Sequence, residues 1–202
     1  ERLPPASLTK MMTSYIGSLE LLEGRINEQD DVLVSERAWR KGGSKMFIEV
    51  GDRVPFIDLK RGVIIQSGND ASIAMAEHIA GSEDAFADLM NSHAQRLGMR
   101  NTNFTNATGW LDDAMYSSAR DMAILAQAVI RDDQQYYDIY KEREFTWNGI
   151  RQTNRNRMLW RDSSVDGLKT GHTEAAGYCL VASAEREGMR LISVVMGTSS
   201  DQ

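Results

Sequence analysis

The amino-acid sequence predicts an α/β fold of the α+β kind, in which a mainly antiparallel sheet is covered by helices and an all-helical lobe is inserted in mid-chain. Helical spacing of apolar residues fills most of the first 131 positions, whereas the pattern changes to β-rich runs after about Glu144. The last two runs, residues 177–184 and 190–197, predict a hairpin. Both of its strands are apolar on both faces, which is typical of a sheet with helices on each side.

The individual elements follow from local patterns. Two prolines precede a helix whose apolar spacing begins at Leu8 and continues to Gly24, the predicted stop. Short β-rich runs at residues 32–34 and 46–50 flank a polar loop that contains glycine. The remaining predictions are helices over 57–65, 71–80, 82–97 and 117–131, with a break at 67–70, and strands over 144–147 and 165–170.

Length and composition limit the possible domains and partners. A chain of 202 residues fits one domain, with the helical lobe at roughly 24–140 and the sheet part at roughly 1–23 and 141–202. The formal net charge of −6 disfavours a nucleic-acid partner. No apolar run approaches the ~20 residues that a membrane span needs. Cys179 is the single cysteine, and no metal or other cofactor is predicted.

The first candidate chemistry is a serine and a lysine near the N-terminus. Ser7 and Lys10 are three residues apart on a predicted helix, so the amine can reach the hydroxyl. A lysine can remove the serine proton only if its pKa falls from ~10.4 toward ~7–8. Such a shift requires burial and a second nearby cation. The S-x-x-K spacing alone is expected by chance about once in 200 residues, so a helix cap and a solvated lysine remain open interpretations.

Two further motifs supply what this pair lacks. Ser67 and Asn69 lie between two predicted helices and offer a hydroxyl and an amide, although a simple turn has the same composition. Lys169, Thr170 and Gly171 form a K-T-G triplet at the end of a predicted strand. The glycine lets a ligand backbone come close, and Lys169 is the second cation that Lys10 requires.

These three motifs, in this order, match the S-x-x-K, S-x-N and K-T-G set of penicillin-recognising serine enzymes. The match extends into flanking residues 5–13, 61–70, 116–121, 148–152 and 166–173. The chain therefore resembles low-molecular-mass penicillin-binding proteins of the serine D-alanyl-D-alanine carboxypeptidase type. The resemblance implies a β-lactamase/transpeptidase-like fold and a location in the bacterial cell envelope, in the periplasm or on the outer face of the cytoplasmic membrane.

The resemblance also implies a role for each catalytic residue. Ser7 would attack the carbonyl between the two terminal D-alanines of a peptidoglycan stem peptide, with Lys10 as general base. Ser67 would pass a proton to the leaving D-alanine. β-Lactam antibiotics would acylate Ser7 in the same way.

Further residues are assigned to substrate binding by the same resemblance. Asn69 would hold the substrate amide, and Lys169 with Thr170 would bind the terminal carboxylate. Gly171 lies beside the substrate, and the backbone N–H of His172 would complete an oxyanion hole with that of Ser7. Arg155 resembles a family arginine near the pocket, and a surface ion pair is an equally open interpretation.

Three alternatives remain beside the carboxypeptidase. A β-lactamase needs a carboxylate that holds the deacylating water, and no E-x-x-L-N segment lies between Ser67 and Lys169. A DD-endopeptidase would cut cross-links with the same residues, whereas a non-catalytic fragment would only bind peptidoglycan. The family resemblance further leads us to expect a domain truncated at both ends, because relatives have strands before the S-x-x-K helix and a helix after the last hairpin.

Overall fold

The computed structural model describes residues 1–200 and contains helices packed around a small antiparallel sheet. The helices are α1 (Lys10–Leu22), α2 (Glu36–Arg40), α3 (Phe56–Arg61), α4 (Asn69–Ala80), α5 (Glu83–Leu97), α6 (Ala119–Asp132) and α7 (Met158–Arg161). The strands are β1 (Asp31–Leu33), β2 (Arg53–Pro55), β3 (Glu144–Trp147), β4 (Ile150–Thr153), β5 (Val165–Thr173), β6 (Gly177–Arg186) and β7 (Met189–Thr198). A 3-10 turn over Ala6–Thr9 leads into α1, a π-helical turn over Gly62–Gln66 follows α3, and a second 3-10 turn covers Tyr137–Lys141.

The principal sheet has the strand order β5-β6-β7, and both pairs are antiparallel. This confirms the predicted hairpin and the α+β class. Lys169 lies opposite Val181, and Thr170 lies opposite Leu180. Among the described strands, β5 pairs with β6 alone, and the 3-10 turn over Ala6–Thr9 packs against β5. Strand β5 and the turn that leads into α1 therefore meet at one place.

One face of the sheet is buried against helices and the other is not. On the inner face Val181 and Ser183 of β6 are fully buried, and α6 and α1 pack on this side of the sheet. On the outer face Leu191 is 65% exposed and Val195 is 43% exposed. The prediction of helices on both faces therefore holds for one face within residues 1–200, although the apolar pattern is present on both.

The predicted strand at residues 46–50 is wrong. The segment is irregular, and the backbone N–H groups of Met46 and Phe47 donate to the carboxylate of Asp70 at 2.9 and 3.0 Å instead of to a strand. Phe47 also has a φ of +67°, which extended strands do not allow. The partner of β1 is instead β2, with Val32 opposite Val54. A β-rich composition did not reveal that a buried carboxylate would take these donors.

Helix α1 crosses the core and is held in place by a buried lysine. Lys60 of α3 is fully buried, and its Nζ donates to the backbone oxygen of Ser14 at 3.1 Å and to its Oγ at 2.8 Å. The same Nζ donates to Ser18 Oγ and lies 3.4 Å from Asp133 Oδ2. Burial lowers the pKa of Lys60, and the charge of Asp133 opposes this shift. Lys60 therefore joins α1, α3 and the end of α6.

Replacing Lys60 with methionine is expected to lower the free energy of unfolding by about 3 kcal/mol, because a buried carboxylate is left without its cation. Urea denaturation followed by circular dichroism measures the change. Lys141→Met is the matched control, since Lys141 is 52% exposed and pairs on the surface with Asp138. Equal denaturation midpoints for the two variants would show that the Lys60–Asp133 pair does not hold α1 in place.

Candidate active site

Ser7 lies on a tight turn that has a close neighbour. The preceding residue, Ala6, has a φ of +46°, an unusual conformation for a residue with a side chain. Gly109 packs against this turn so closely that a Cβ atom at Gly109 would lie 1.8 Å from the backbone oxygen of Ala6. Gly109 also has a φ of +81°, so both the close approach and the backbone conformation favour glycine at this position. Glycine at this position lets the 108–109 backbone support the turn that presents Ser7.

Lys10 begins α1 and reaches back to Ser7. Its Nζ lies 2.9 Å from Ser7 Oγ and donates to the backbone oxygen of Thr108 at 2.7 Å. The side chain is buried, with 1% of the residue exposed. Burial is the largest cause that lowers the pKa of Lys10 well below its usual range, and the charge of Lys169 is the next. Lys10 is therefore placed to act as an unprotonated amine beside a hydroxyl.

Several weaker charges act on the same amine. Lys41 and Arg155 also lower the pKa of Lys10, whereas the carboxylate of Asp70 raises it. The Nζ of Lys41 lies 5.0 Å from the centre of the Trp110 ring. The surroundings of Lys10 are thus predominantly cationic, which favours its neutral form.

Ser67 and Lys169 form the second hydroxyl–amine pair. Ser67 follows the π-helical turn over Gly62–Gln66 and adopts a left-handed conformation with φ +63°. Lys169 Nζ donates to Ser67 Oγ at 3.0 Å and to the backbone oxygen of Thr170 at 3.0 Å. Burial, followed by the charge of Arg155, lowers the pKa of Lys169 to about 7. The two buried lysines therefore each contact one of the two predicted serines.

Asn69 is held at the first turn of α4 by the polar loop predicted from the sequence. Its Nδ2 donates to the backbone oxygen of Gly42 at 2.7 Å, and its N–H donates to that of Ser44 at 2.8 Å. The first of these bonds orients the side-chain amide, and the second ties the start of α4 to the loop.

Gly171 of β5 lies directly against the turn that carries Ser7. A Cβ atom at Gly171 would lie 3.1 Å from the backbone nitrogen of Ser7 and 3.2 Å from that of Leu8. Glycine therefore lets β5 pack closely against the turn that leads into α1. The next residue, His172, is exposed and stacks on Tyr178 with ring centres 4.1 Å apart.

The predicted residues meet at one cavity. Its volume is about 1000 Å³. Six residues predicted from the sequence line this cavity: Ser7, Ser67, Arg155, Thr170, Gly171 and His172. Lys10, Lys169 and Asn69 lie immediately behind, since the two lysines contact the two serines and Asn69 is two residues from Ser67.

Sequence patterns missed several residues that shape the site. Thr108 and Gly109 lie in an irregular stretch without periodicity, and their contacts with Lys10 and Ala6 are visible only in three dimensions. Asp70 directly follows Asn69 of the S-x-N motif, but nothing in the sequence shows that the Asp70 carboxylate accepts hydrogen bonds from the backbone N–H groups of residues 46–48.

No group of three or more His, Cys, Asp or Glu side chains among residues 1–200 is arranged to hold a metal ion. None of the helices in this part of the chain combines the length and the apolar character that a membrane crossing requires.

Solved structures with this arrangement are penicillin-binding proteins of the transpeptidase fold. The chain is similar to penicillin binding protein 5 from Haemophilus influenzae, with a TM-score of 0.96 and 51% identity over 99% of this chain and 60% of that one. It is also similar to the D-alanyl-D-alanine carboxypeptidase DacD from Francisella tularensis, with a TM-score of 0.97 and 37% identity over 99% of this chain and 61% of that one.

The sequence comparison is more specific. Residues 1–200 match the Peptidase S11 family, described as D-alanyl-D-alanine carboxypeptidase, and the chain belongs to this family. Among curated relatives, it is 55% identical to D-alanyl-D-alanine carboxypeptidase DacA of Escherichia coli strain K12, over 97% of this chain and 50% of that protein. The chain spans about half the length of the curated relatives that it matches most strongly.

Proposed function

We propose that this chain carries the acyl-transfer centre of a serine D-alanyl-D-alanine carboxypeptidase, which removes the terminal D-alanine from peptidoglycan stem peptides. The observation that carries the proposal is the 2.9 Å contact between Ser7 Oγ and Lys10 Nζ, an amine that is buried and has a second buried lysine as its electrostatic neighbour. In the same proposal, residues 1–202 act as one catalytic domain at the bacterial cell envelope, in the periplasm or on the outer face of the cytoplasmic membrane.

The acylation step uses both hydroxyl–amine pairs. Neutral Lys10 accepts the proton of Ser7 as Ser7 Oγ bonds to the carbonyl carbon between the two D-alanines. The backbone N–H groups of Ser7 and His172 would stabilise the oxyanion, and Gly171, next to His172, packs against the Ser7 turn. The C–N bond then breaks as Ser67 gives its proton to the departing amine and takes up the proton that Lys10 had accepted, so that Lys10 is neutral again. Water then attacks the acyl-enzyme carbonyl while Lys10 takes its proton, and that proton returns to Ser7 Oγ as the ester C–O bond breaks.

The terminal carboxylate of the substrate fits the cationic side of the cavity. Lys169 and Thr170 are adjacent on β5, and the charge of Arg155 is felt at Lys169. An anion here would be surrounded by donors and positive charge. This arrangement supports Lys169, Thr170 and Arg155 as carboxylate ligands and Asn69 as the ligand of the substrate amide. It also supports β-lactam antibiotics, which carry a carboxylate beside a reactive amide, as inhibitors.

Benzylpenicillin is expected to leave a long-lived adduct on Ser7. The amine released from a β-lactam ring stays attached to the acyl group and blocks the approach of water, whereas D-alanine departs. The residues among 1–200 that line the cavity also include no Asp or Glu that could activate a water in the manner of a β-lactamase. Intact-mass spectrometry, followed by peptide mapping, measures the adduct and its position, and Ser7→Ala is the control that remains unlabelled. Rapid drug hydrolysis without a persistent adduct would instead indicate a β-lactamase. A folded protein that never labels would indicate a binding module.

The pH dependence of peptide hydrolysis is expected to separate the two lysines. Lys169 has a lowered pKa of about 7, so it loses its charge as the pH rises above neutrality and binds the substrate carboxylate less well. KM should therefore rise between about pH 7 and pH 9, whereas kcat should fall as the pH is lowered far enough to protonate Lys10, whose pKa is lowered by burial and by the charge of Lys169. A peptide that ends in an amide is the control, because its KM should not follow Lys169. A KM that stays constant up to about pH 9 would exclude Lys169 as the charged ligand.

A further inference from the structure

The cavity continues well beyond the residues that the proposed reaction uses. Among the described residues that line it, the charged ones are all arginines: Arg151, Arg155, Arg157 and Arg161. The whole chain, in contrast, has a formal net charge of −6. A cavity with only positive lining charges on an acidic protein indicates an anionic ligand that is larger than one terminal carboxylate.

The arginines lie on one particular side of Ser7. Ser7 lies against Gly171, and the carboxylate ligands Lys169 and Thr170 precede Gly171 on β5. Gly167 is nearer the start of β5. Its backbone oxygen accepts a hydrogen bond from Asn156 Nδ2 at 3.0 Å, and α7 packs against the same strand. The segment with the arginines therefore extends past the carboxylate ligands, on the side of the leaving group. This step rests on the proposed function, which assigns Lys169 and Thr170 to the terminal carboxylate.

Two of these guanidinium groups have no internal partner. Arg151 pairs with Glu144, whereas the guanidinium groups of Arg155 and Arg161 make no hydrogen bond or ion pair with any other residue in the described part of the chain. Trp160, which is 46% exposed, lines the cavity beside Arg161. The parallel N–H donors of a guanidinium group bind both oxygens of a carboxylate, and an adjacent aromatic ring can pack against the short aliphatic chain that carries it.

We propose that Arg157, Arg161 and Trp160, here called the arginine groove, bind a second carboxylate carried by the leaving group, beyond Arg155, which belongs to the terminal carboxylate. The substrates favoured by this groove are peptides whose departing amino acid has an anionic side chain in addition to its terminal carboxylate. The bond that breaks is the same C–N bond, and the departing amine is protonated in the same way. The groove thus sets a preference among leaving groups.

The test uses diacetyl-L-Lys-D-Ala-D-X peptides in which X is D-Ala, D-Glu or D-Gln. D-Glu and D-Gln are nearly equal in shape and differ in charge, so their kcat/KM ratio isolates the second carboxylate. We expect the 202-residue chain to release D-Glu about fivefold faster than D-Gln at low salt. The ratio should fall toward one in Arg161→Gln and at high ionic strength. Arg100→Gln, a substitution of an exposed arginine outside the cavity, should leave the ratio unchanged.

A second measurement separates this proposal from the proposed function. Ser7→Ala cannot turn over, and calorimetric binding of the D-Glu and D-Gln peptides to it reports the groove directly. Tighter binding of the D-Glu peptide to Ser7→Ala supports the arginine groove. If the parent chain at the same time hydrolysed no peptide, only the proposed function would be overturned. Release of D-Ala together with equal or weaker binding of the D-Glu peptide overturns the groove and leaves the proposed function standing. A D-Glu preference that Arg161→Gln retains also overturns it.

Discussion

Lys10→Met is expected to slow the acylation of Ser7 by benzylpenicillin by about 10²- to 10⁴-fold. The substitution keeps a long side chain in the buried position but removes the amine that lies 2.9 Å from Ser7 Oγ. Because a buried amine is replaced by an apolar group, the melting temperature should not fall greatly. Stopped-flow labelling with a fluorescent penicillin measures the rate.

The control for this experiment is Lys141→Met, which removes an exposed lysine that pairs with Asp138. It should label at the rate of the parent chain. If Lys10→Met labelled as fast as Lys141→Met while keeping its fold, then Lys10 would not be the base.

Gly171→Ala is expected to lower kcat by about 10²- to 10³-fold. The added methyl group would lie 3.1 Å from the backbone nitrogen of Ser7, so it would displace β5 from the turn whose N–H is proposed to bind the oxyanion. The effect should fall on acylation rather than on folding, because the neighbours of Gly171 need to give by only a few tenths of an ångström. Single-turnover kinetics and thermal melting of the same sample separate the two effects. Normal acylation in a folded Gly171→Ala protein would place the oxyanion elsewhere.

Much of the fold could be predicted because its elements carry clear periodic patterns. The helix from Lys10 and the hairpin formed by β6 and β7 follow directly from apolar spacing. The segment at 46–50 shows where such reasoning fails, because its N–H groups bind Asp70 and not a strand. A local pattern does not contain the position of a carboxylate more than 20 residues away.

The motifs of the candidate site, and the need for Lys169 as a second cation near Lys10, were predictable from the sequence, whereas the packing that buries both lysines was not. Ser7, Lys10 and Lys169 could be named from spacing and resemblance. The burial of both lysines, and the support that Gly109 gives to the Ser7 turn, follow only from the packing of the whole chain. Arg161 could not be selected from the sequence, since one more arginine on a charged surface carries no signal until it lines a cavity.

The lysine titration is the most direct measurement of the central idea, that one amine has lost its proton at neutral pH. With ¹³C-labelled lysine Cε atoms, and with Lys10→Arg to assign the resonance, NMR follows Lys10 from about pH 5 to pH 11. We predict a midpoint far below ~10.4 that rises when Lys169 is replaced by methionine. A Lys10 resonance that titrates together with the surface lysines, and that does not respond to the loss of Lys169, would contradict the account.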